Sequence, residues 1–219
     1  MSGCSEDYSR EGLLLCLVGP SGSGKSSLAR WLLKEEAANL SRSISTTSRA
    51  QREHEVEGKD YYFINRAEFQ QRISAGEFFE WEEVHGNLYG TPRKPLEQAR
   101  KVGHDVVLTI DIKGALNLKG KLPHHTVVVF FAPPSKEIML ERLRGRGHME
   151  AEDLARRLDT ARSEYQIVLA RAAGVGGVDY FVVNDVWQES CSALRGILFS
   201  ERLRFERIRS EWLGALCKV

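Results

Sequence analysis

Gly19, Gly24, Lys25 and Ser26 stand at the spacing G-x-x-x-x-G-K-S inside the run Gly19-Pro20-Ser21-Gly22-Ser23-Gly24-Lys25-Ser26-Ser27. These residue types at this spacing suit the capture of a polyphosphate. Gly19, Gly22 and Gly24 permit the tight turn that lets successive backbone N–H groups converge on phosphate oxygens. A helix opening at Lys25 adds the positive end of its dipole. Lys25 is then placed to reach the β- and γ-phosphates, and the Ser26 hydroxyl to ligate a divalent cation. Arg49 and Arg52, beside Ser45, Thr46 and Thr47, bring two guanidinium forks and several hydroxyls together. That set suits a second, dianionic phosphate. Glu80 offers a carboxylate able to accept two parallel hydrogen bonds. Asp111 ends a β-branched apolar run, where an acid on the metal side of a phosphate site is expected. Taken locally, each of these has a plainer reading: a charged solvated loop for the arginines, an exposed strand acid for Glu80, and a strand-end acid for Asp111.

Such residues need a frame. Leu13–Val18, Val106–Ile110, Thr126–Phe131 and Tyr180–Val183 are short apolar runs that read as buried parallel strands. Helical patterns over Ser26–Ala38, Pro92–Lys101, Ser135–Arg144, Ala151–Ala172 and Trp187–Leu213 separate or follow them. The fold class is therefore α/β, a central parallel sheet flanked by helices. Residues 42–92 break this alternation with a polar, charge-rich stretch followed by Tyr61–Ile64, Ala67–Ser74, Phe78, Phe79 and Trp81. They read as an inserted subdomain with its own small sheet, between core segments 13–41 and 93–219.

Bulk properties narrow the classes. The chain has 219 residues, with 31 basic against 30 acidic and a net charge of +1. That balance speaks against general binding to nucleic acid or to a membrane surface. No apolar stretch reaches the length of a membrane span. Met1–Gly12 is polar and mixed in charge, unlike a signal peptide, and reads as a flexible leader. The four cysteines and six histidines show no metal-ligand or disulfide spacing, which suits a reducing, cytoplasmic setting.

Residues 43–64, SISTTSRAQREHEVEGKDYYFI, and 76–92, GEFFEWEEVHGNLYGTP, resemble the monophosphate-binding domain of guanylate kinases. The resemblance runs from the phosphate loop through RLRGRG at 142–147 to VVND at 182–185. It implies a P-loop kinase fold with an inserted GMP-binding subdomain and a short lid at about 142–157. It implies ATP and GMP as substrates and Mg²⁺ as cofactor; the sequence leaves monomer and homodimer both open. By the same resemblance, Gly19, Pro20, Ser21, Gly22, Ser23, Gly24, Lys25, Ser26 and Ser27 bind ATP with Arg142, Arg146 and Asn184. Ser45, Arg49, Arg52, Tyr61, Glu80, Tyr89, Thr91 and Asp111 bind GMP. Lys25, Arg52, Arg146 and Arg157 surround the transferred group, and Ser26 with Asp111 (through water) serves the metal. Glu80 is the base reader, because guanine presents two adjacent donors on one edge and adenine does not.

The sequence departs from the family at Thr109, where Thr109-Ile110-Asp111 stands for Asp-hydrophobic-Asp. Gln51, Glu53 and His54 also replace a Pro- and Gly-containing turn. Two other functions stay open on sequence. One is a non-catalytic module that binds partner peptides in the acceptor cleft, disfavoured by the intact loop and full arginine set. The other is a kinase for a different nucleoside monophosphate, disfavoured by Glu80 with Thr91.

Overall fold

All five residues of β1 (Leu14–Val18) are buried, as befits a strand covered on both faces. In the computed structural model, which describes residues 10–84, 86–145, 151–171 and 177–210 with Gly214 and Cys217, this strand is the centre of a parallel sheet. It lies between β7 (Asp105–Leu108) and β8 (Thr126–Ala132), with β2 (Leu40–Arg42) and β9 (Tyr180–Val183) at the edges, in the order β2-β7-β1-β8-β9. Side chains alternate between two layers. Leu13, Leu15 and Leu17 pack with Leu28 and Leu32 of α1 (Lys25–Glu35) and with Cys191, Leu194 and Leu198 of α7 (Trp187–Arg202). Leu14, Cys16 and Val18 face Leu96 of α3 (Arg93–Lys101), Ile112 and Ala115 of α4 (Ile112–Lys121), and the Tyr165 edge of α6 (Ala151–Arg171).

The second sheet is mixed and small. It runs β4-β3-β6-β5, from β3 (Thr46–Thr47), β4 (Tyr62–Phe63), β5 (Phe78–Val84) and β6 (Asn87–Pro92). The helix α2 (Arg66–Ser74), capped by the Asn65 side chain, covers one face by stacking Phe69 on Phe78 at 4.6 Å. Among the described residues its core cluster is Phe69, Phe78 and Leu88, with Ile64 and Ile73 at the margin. α5 (Lys136–Arg144) begins at a Ser135 cap, whose hydroxyl accepts from the Ile138 N–H.

Several expectations change. The second core strand ends at Leu108, so Ile110 is outside it, and Leu40–Arg42 adds a strand that its polar sequence did not announce. β9 is an edge strand rather than a buried one: Phe181 and Val183 are 54% and 51% exposed. The last helix stops at Arg202, where a 3-10 turn over Phe205–Arg207 follows, so the pattern over Trp187–Leu213 is not one helix. Of the leader, Arg10 to Gly12 are ordered, while residues 1–9 lie outside the described residues. The cause is Asp105, fully buried, which accepts from both terminal nitrogens of Arg10 at 2.7 and 3.0 Å and from Arg202 Nε at 2.7 Å. It also accepts from the Leu13 N–H at 2.9 Å, so no lone pair of this buried carboxylate faces apolar surroundings alone.

Candidate active site

The phosphate loop joins β1 to α1, and its shape is forced by contacts as well as dihedrals. Gly19 and Gly24 have φ of 126° and 88°, in the left-handed region. A Cβ at Gly19 would meet the Phe131 carbonyl oxygen at 2.1 Å, and one at Gly24 would meet Asn184 Nδ2 at 2.1 Å. No side chain caps the start of α1, and an uncapped helix N-terminus suits an anion. Lys25 Nζ folds over the loop, donating to the carbonyls of Gly19 and of Pro20, the latter at 2.9 Å. Ser26 and Ser27 are exposed at the mouth.

Neighbouring elements brace this loop. Asn184, buried at the end of β9, donates from Nδ2 to the Ser23 carbonyl at 2.8 Å, so its amide is engaged with the loop backbone. Its own carbonyl accepts from Arg142 of α5 at 2.9 Å. Arg157 of α6 reaches the Ser21 hydroxyl at 3.4 Å. Arg146 lies outside the described residues.

Across the cleft, the small sheet carries the acceptor side. The Arg49 guanidinium donates to Tyr89 Oη at 3.3 Å and lies 5.7 Å from the centre of the Tyr61 ring. Its strongest partner is one the sequence did not single out: Glu55, which accepts from Arg49 Nη2 at 2.7 and 2.9 Å and from the Arg52 backbone N–H at 2.9 Å. This pairing holds the Glu55 carboxyl below the usual range and raises Arg49, while burial, helped by Tyr89, raises the Tyr61 hydroxyl. An acid three residues after Arg52 and six after Arg49 was the available signal. The Arg52 side chain is exposed. Ser45, Tyr61 and Thr109 line one small cavity of 40 Å³ between the two sheets, so Thr109 borders the same space as two of the expected acceptor residues.

Glu80 is 9% exposed and takes a hydrogen bond from the Thr91 hydroxyl. Burial pushes its carboxyl up to about 7, opposed by the Thr91 bond and assisted by the charges of Asp111 and Glu82. Asp111 is exposed and caps α4, accepting from the Gly114 N–H at 3.0 Å. Gly114 itself is a close-approach position. A Cβ there would come within 2.9 Å of Glu80 Oε2 and 3.2 Å of Asp111 Oδ2. Any larger residue would crowd the free edge of the Glu80 carboxylate.

A divalent cation fits the donor set only in company with phosphates. Among the described residues no three His, Cys, Asp or Glu side chains form a metal cage. The exposed Ser26 hydroxyl and Asp111 carboxylate are the oxygens available, which suits Mg²⁺ held mainly by phosphates and water.

A family model described as guanylate kinase matches residues 11–201. The chain belongs to the guanylate kinase family. A guanylate kinase of Novosphingobium aromaticivorans is 41% identical over 90% of this chain and 86% of its own length. One from Myxococcus xanthus is 42% identical over 93% of each chain. The crystal structure of guanylate kinase from Anaplasma phagocytophilum superimposes with a TM-score of 0.72 at 35% identity, covering 93% of both chains. Membership brings the activity with it: the chain is an ATP:GMP phosphotransferase on the P-loop kinase fold.

Proposed function

We propose that the residues described above divide the reaction between them as follows. Residues 19–27 hold the ATP phosphates on backbone N–H groups, with Lys25 leaving the Gly19 and Pro20 carbonyls to meet the β- and γ-phosphates. Residues 42–92 form the GMP-binding subdomain on a core of 13–41 and 93–219. In it, Arg49, Arg52, Tyr61 and Tyr89 hold the GMP phosphate, while Glu80, with Ser45 and Thr91, reads guanine. The GMP phosphate oxygen is already ionised near neutral pH, so attack on the γ-phosphorus needs no general base. Catalysis then consists of alignment and charge neutralisation, with Arg142, Arg146 and Arg157 brought over the donor by the segment 142–157. Ser26 as a direct ligand and Asp111 through water would hold Mg²⁺ beside the nucleotide phosphates, where it would supply charge neutralisation. Asn184 serves ATP chiefly by fixing the loop through Ser23.

The observation that carries this reading is the approach at Gly114, which places the Glu80 carboxylate and the Asp111 carboxylate around one point of the cleft. That proximity supports a reading in which Glu80 reads guanine close to the acid assigned to the metal side. We assign dGMP as a second acceptor and the cytoplasm as the compartment. No helix among the described residues is long and apolar enough to cross a membrane.

The test is ADP release from MgATP with GMP, dGMP, AMP, CMP or UMP supplied singly. Release with GMP and dGMP alone is the expected result. Equal release with AMP would remove Glu80 as the reader, and GMP binding without release would assign the cleft to recognition alone.

A further inference from the structure

Arg157, Ala161 and Glu164 follow one another on α6 at intervals of four and three, and so share one face of that helix. Ala161 packs this face against Met139 and Leu143 of α5. Those two residues in turn sit on the phosphate loop: a Cβ at Gly22 would lie 3.2 Å from the Met139 carbonyl oxygen and 3.5 Å from Leu143 Cγ. α6 therefore reaches the loop at one end through Arg157 and Ser21, and carries Glu164 along the same side two turns later.

Glu164 is only 8% exposed, and its Oε2 is fully buried with no hydrogen-bond partner. The charges acting on it are Lys25 and Asp111, and burial lifts its carboxyl to about 7. An unmatched carboxylate oxygen is costly inside a protein, and packing alone would be served by another apolar residue like its neighbours Leu158 and Ala161. A polar group arriving during the reaction cycle would satisfy it.

We propose that Glu164 is a positioning residue for Lys25, accepting a hydrogen bond from the ammonium once Lys25 has left the Gly19 and Pro20 carbonyls for the nucleotide phosphates. The ammonium has three N–H donors; two serve phosphate oxygens and the third is held by Glu164, which fixes its direction. Because Arg157 and Glu164 ride on one helix face, the seating of α6 sets the lid arginine and the loop lysine together. This inference rests on the assignment of Lys25 to the phosphates.

The experiment compares Glu164→Leu, Glu164→Gln and Lys25→Ala in the full chain, with MgADP affinity by calorimetry beside steady-state rates. Glu164→Leu is expected to lower kcat and weaken MgADP binding, each by about 10-fold, with KM for GMP within about twofold. Its melting temperature should not fall, since a buried unpaired carboxyl is removed. Glu164→Gln, which keeps an acceptor oxygen, should recover part of both losses. Unchanged kcat and MgADP affinity in Glu164→Leu would overturn the proposal. So would losses that track a lowered melting temperature and are not relieved by Gln. If Lys25→Ala itself keeps its rate, the assignment of Lys25 fails; if only the Glu164 variants are silent, that assignment stands and this inference alone falls.

Discussion

The two sides of the cleft are built on opposite principles. The donor side is a backbone device: three glycines at positive φ, a loop wedged between Phe131 and Asn184, and a helix start left open. The acceptor side is a side-chain device on a sheet whose core cluster, among the described residues, is Phe69, Phe78 and Leu88, with Arg49 held by Glu55 and Glu80 held by Thr91. A backbone site recognises any polyphosphate and tolerates no change at its glycines. A side-chain site distinguishes one base from another, and its strength depends on protonation and pairing. Power and selectivity should therefore fail separately when the two sides are damaged.

The largest effect belongs to the donor side. Lys25→Ala is expected to cut kcat by about 10²–10³-fold while GMP affinity, read by calorimetry without ATP, stays near wild type. Loss of GMP binding in that variant would break the separation. Next comes selectivity. Glu80→Gln presents an amide donor to guanine's own donors and should erode the preference for GMP over AMP by about 10²-fold or more, measured as the ratio of kcat/KM values. An unchanged ratio would move base reading elsewhere in the small sheet.

Glu55→Ala should raise KM for GMP by about 10-fold with little change in kcat. It frees the Arg49 fork and the Arg52 turn that Glu55 now organises. Tighter GMP binding in this variant would instead mark Glu55 as a competitor for the phosphate position.

The smallest effect is a pH dependence confined to the acceptor side. Glu80 titrates at about 7 in the fold against an ordinary value of 4.5, so between these the folded chain holds an extra proton. Its contribution to stability then declines as pH rises across that window. Guanine needs the ionised carboxylate, so GMP affinity should climb with pH through about 7 and binding should release protons below it. Calorimetry in two buffers of different ionisation enthalpy reads that release, and Glu80→Gln should abolish it. MgADP binding in the same buffers serves as the donor-side contrast.

The contrast also explains what was legible in the sequence. A loop defined by glycines and one lysine is written as spacing, so residues 19–26 announced themselves, as did the apolar strand before them and the helix after. Strand β2 did not, because Leu-Ser-Arg at a sheet edge needs no apolar pattern. β9 reads as buried from composition, yet edge position leaves Phe181 and Val183 half exposed. Glu55 was hidden among other charges, since partnership between Arg49 and an acid six residues on depends on how the loop turns. Asp111 shows the reverse case. The residue was visible, but its duty as the cap of α4 is a matter of local geometry.

Asp105 has a consequence for how the chain is made. Its carboxylate binds Arg10 and Leu13 at one end of the sequence and Arg202 near the other, and β9 joins the sheet only at residues 180–183. During synthesis, the small sheet over residues 46–92 emerges complete before β7, β8 and β9 of the parallel sheet and before the last helix. On the ribosome, Asp105 must wait for Arg202, its charge facing water or Arg10 alone. A growing chain should thus acquire protease resistance across the core late and in one step, as residue 202 clears the exit tunnel.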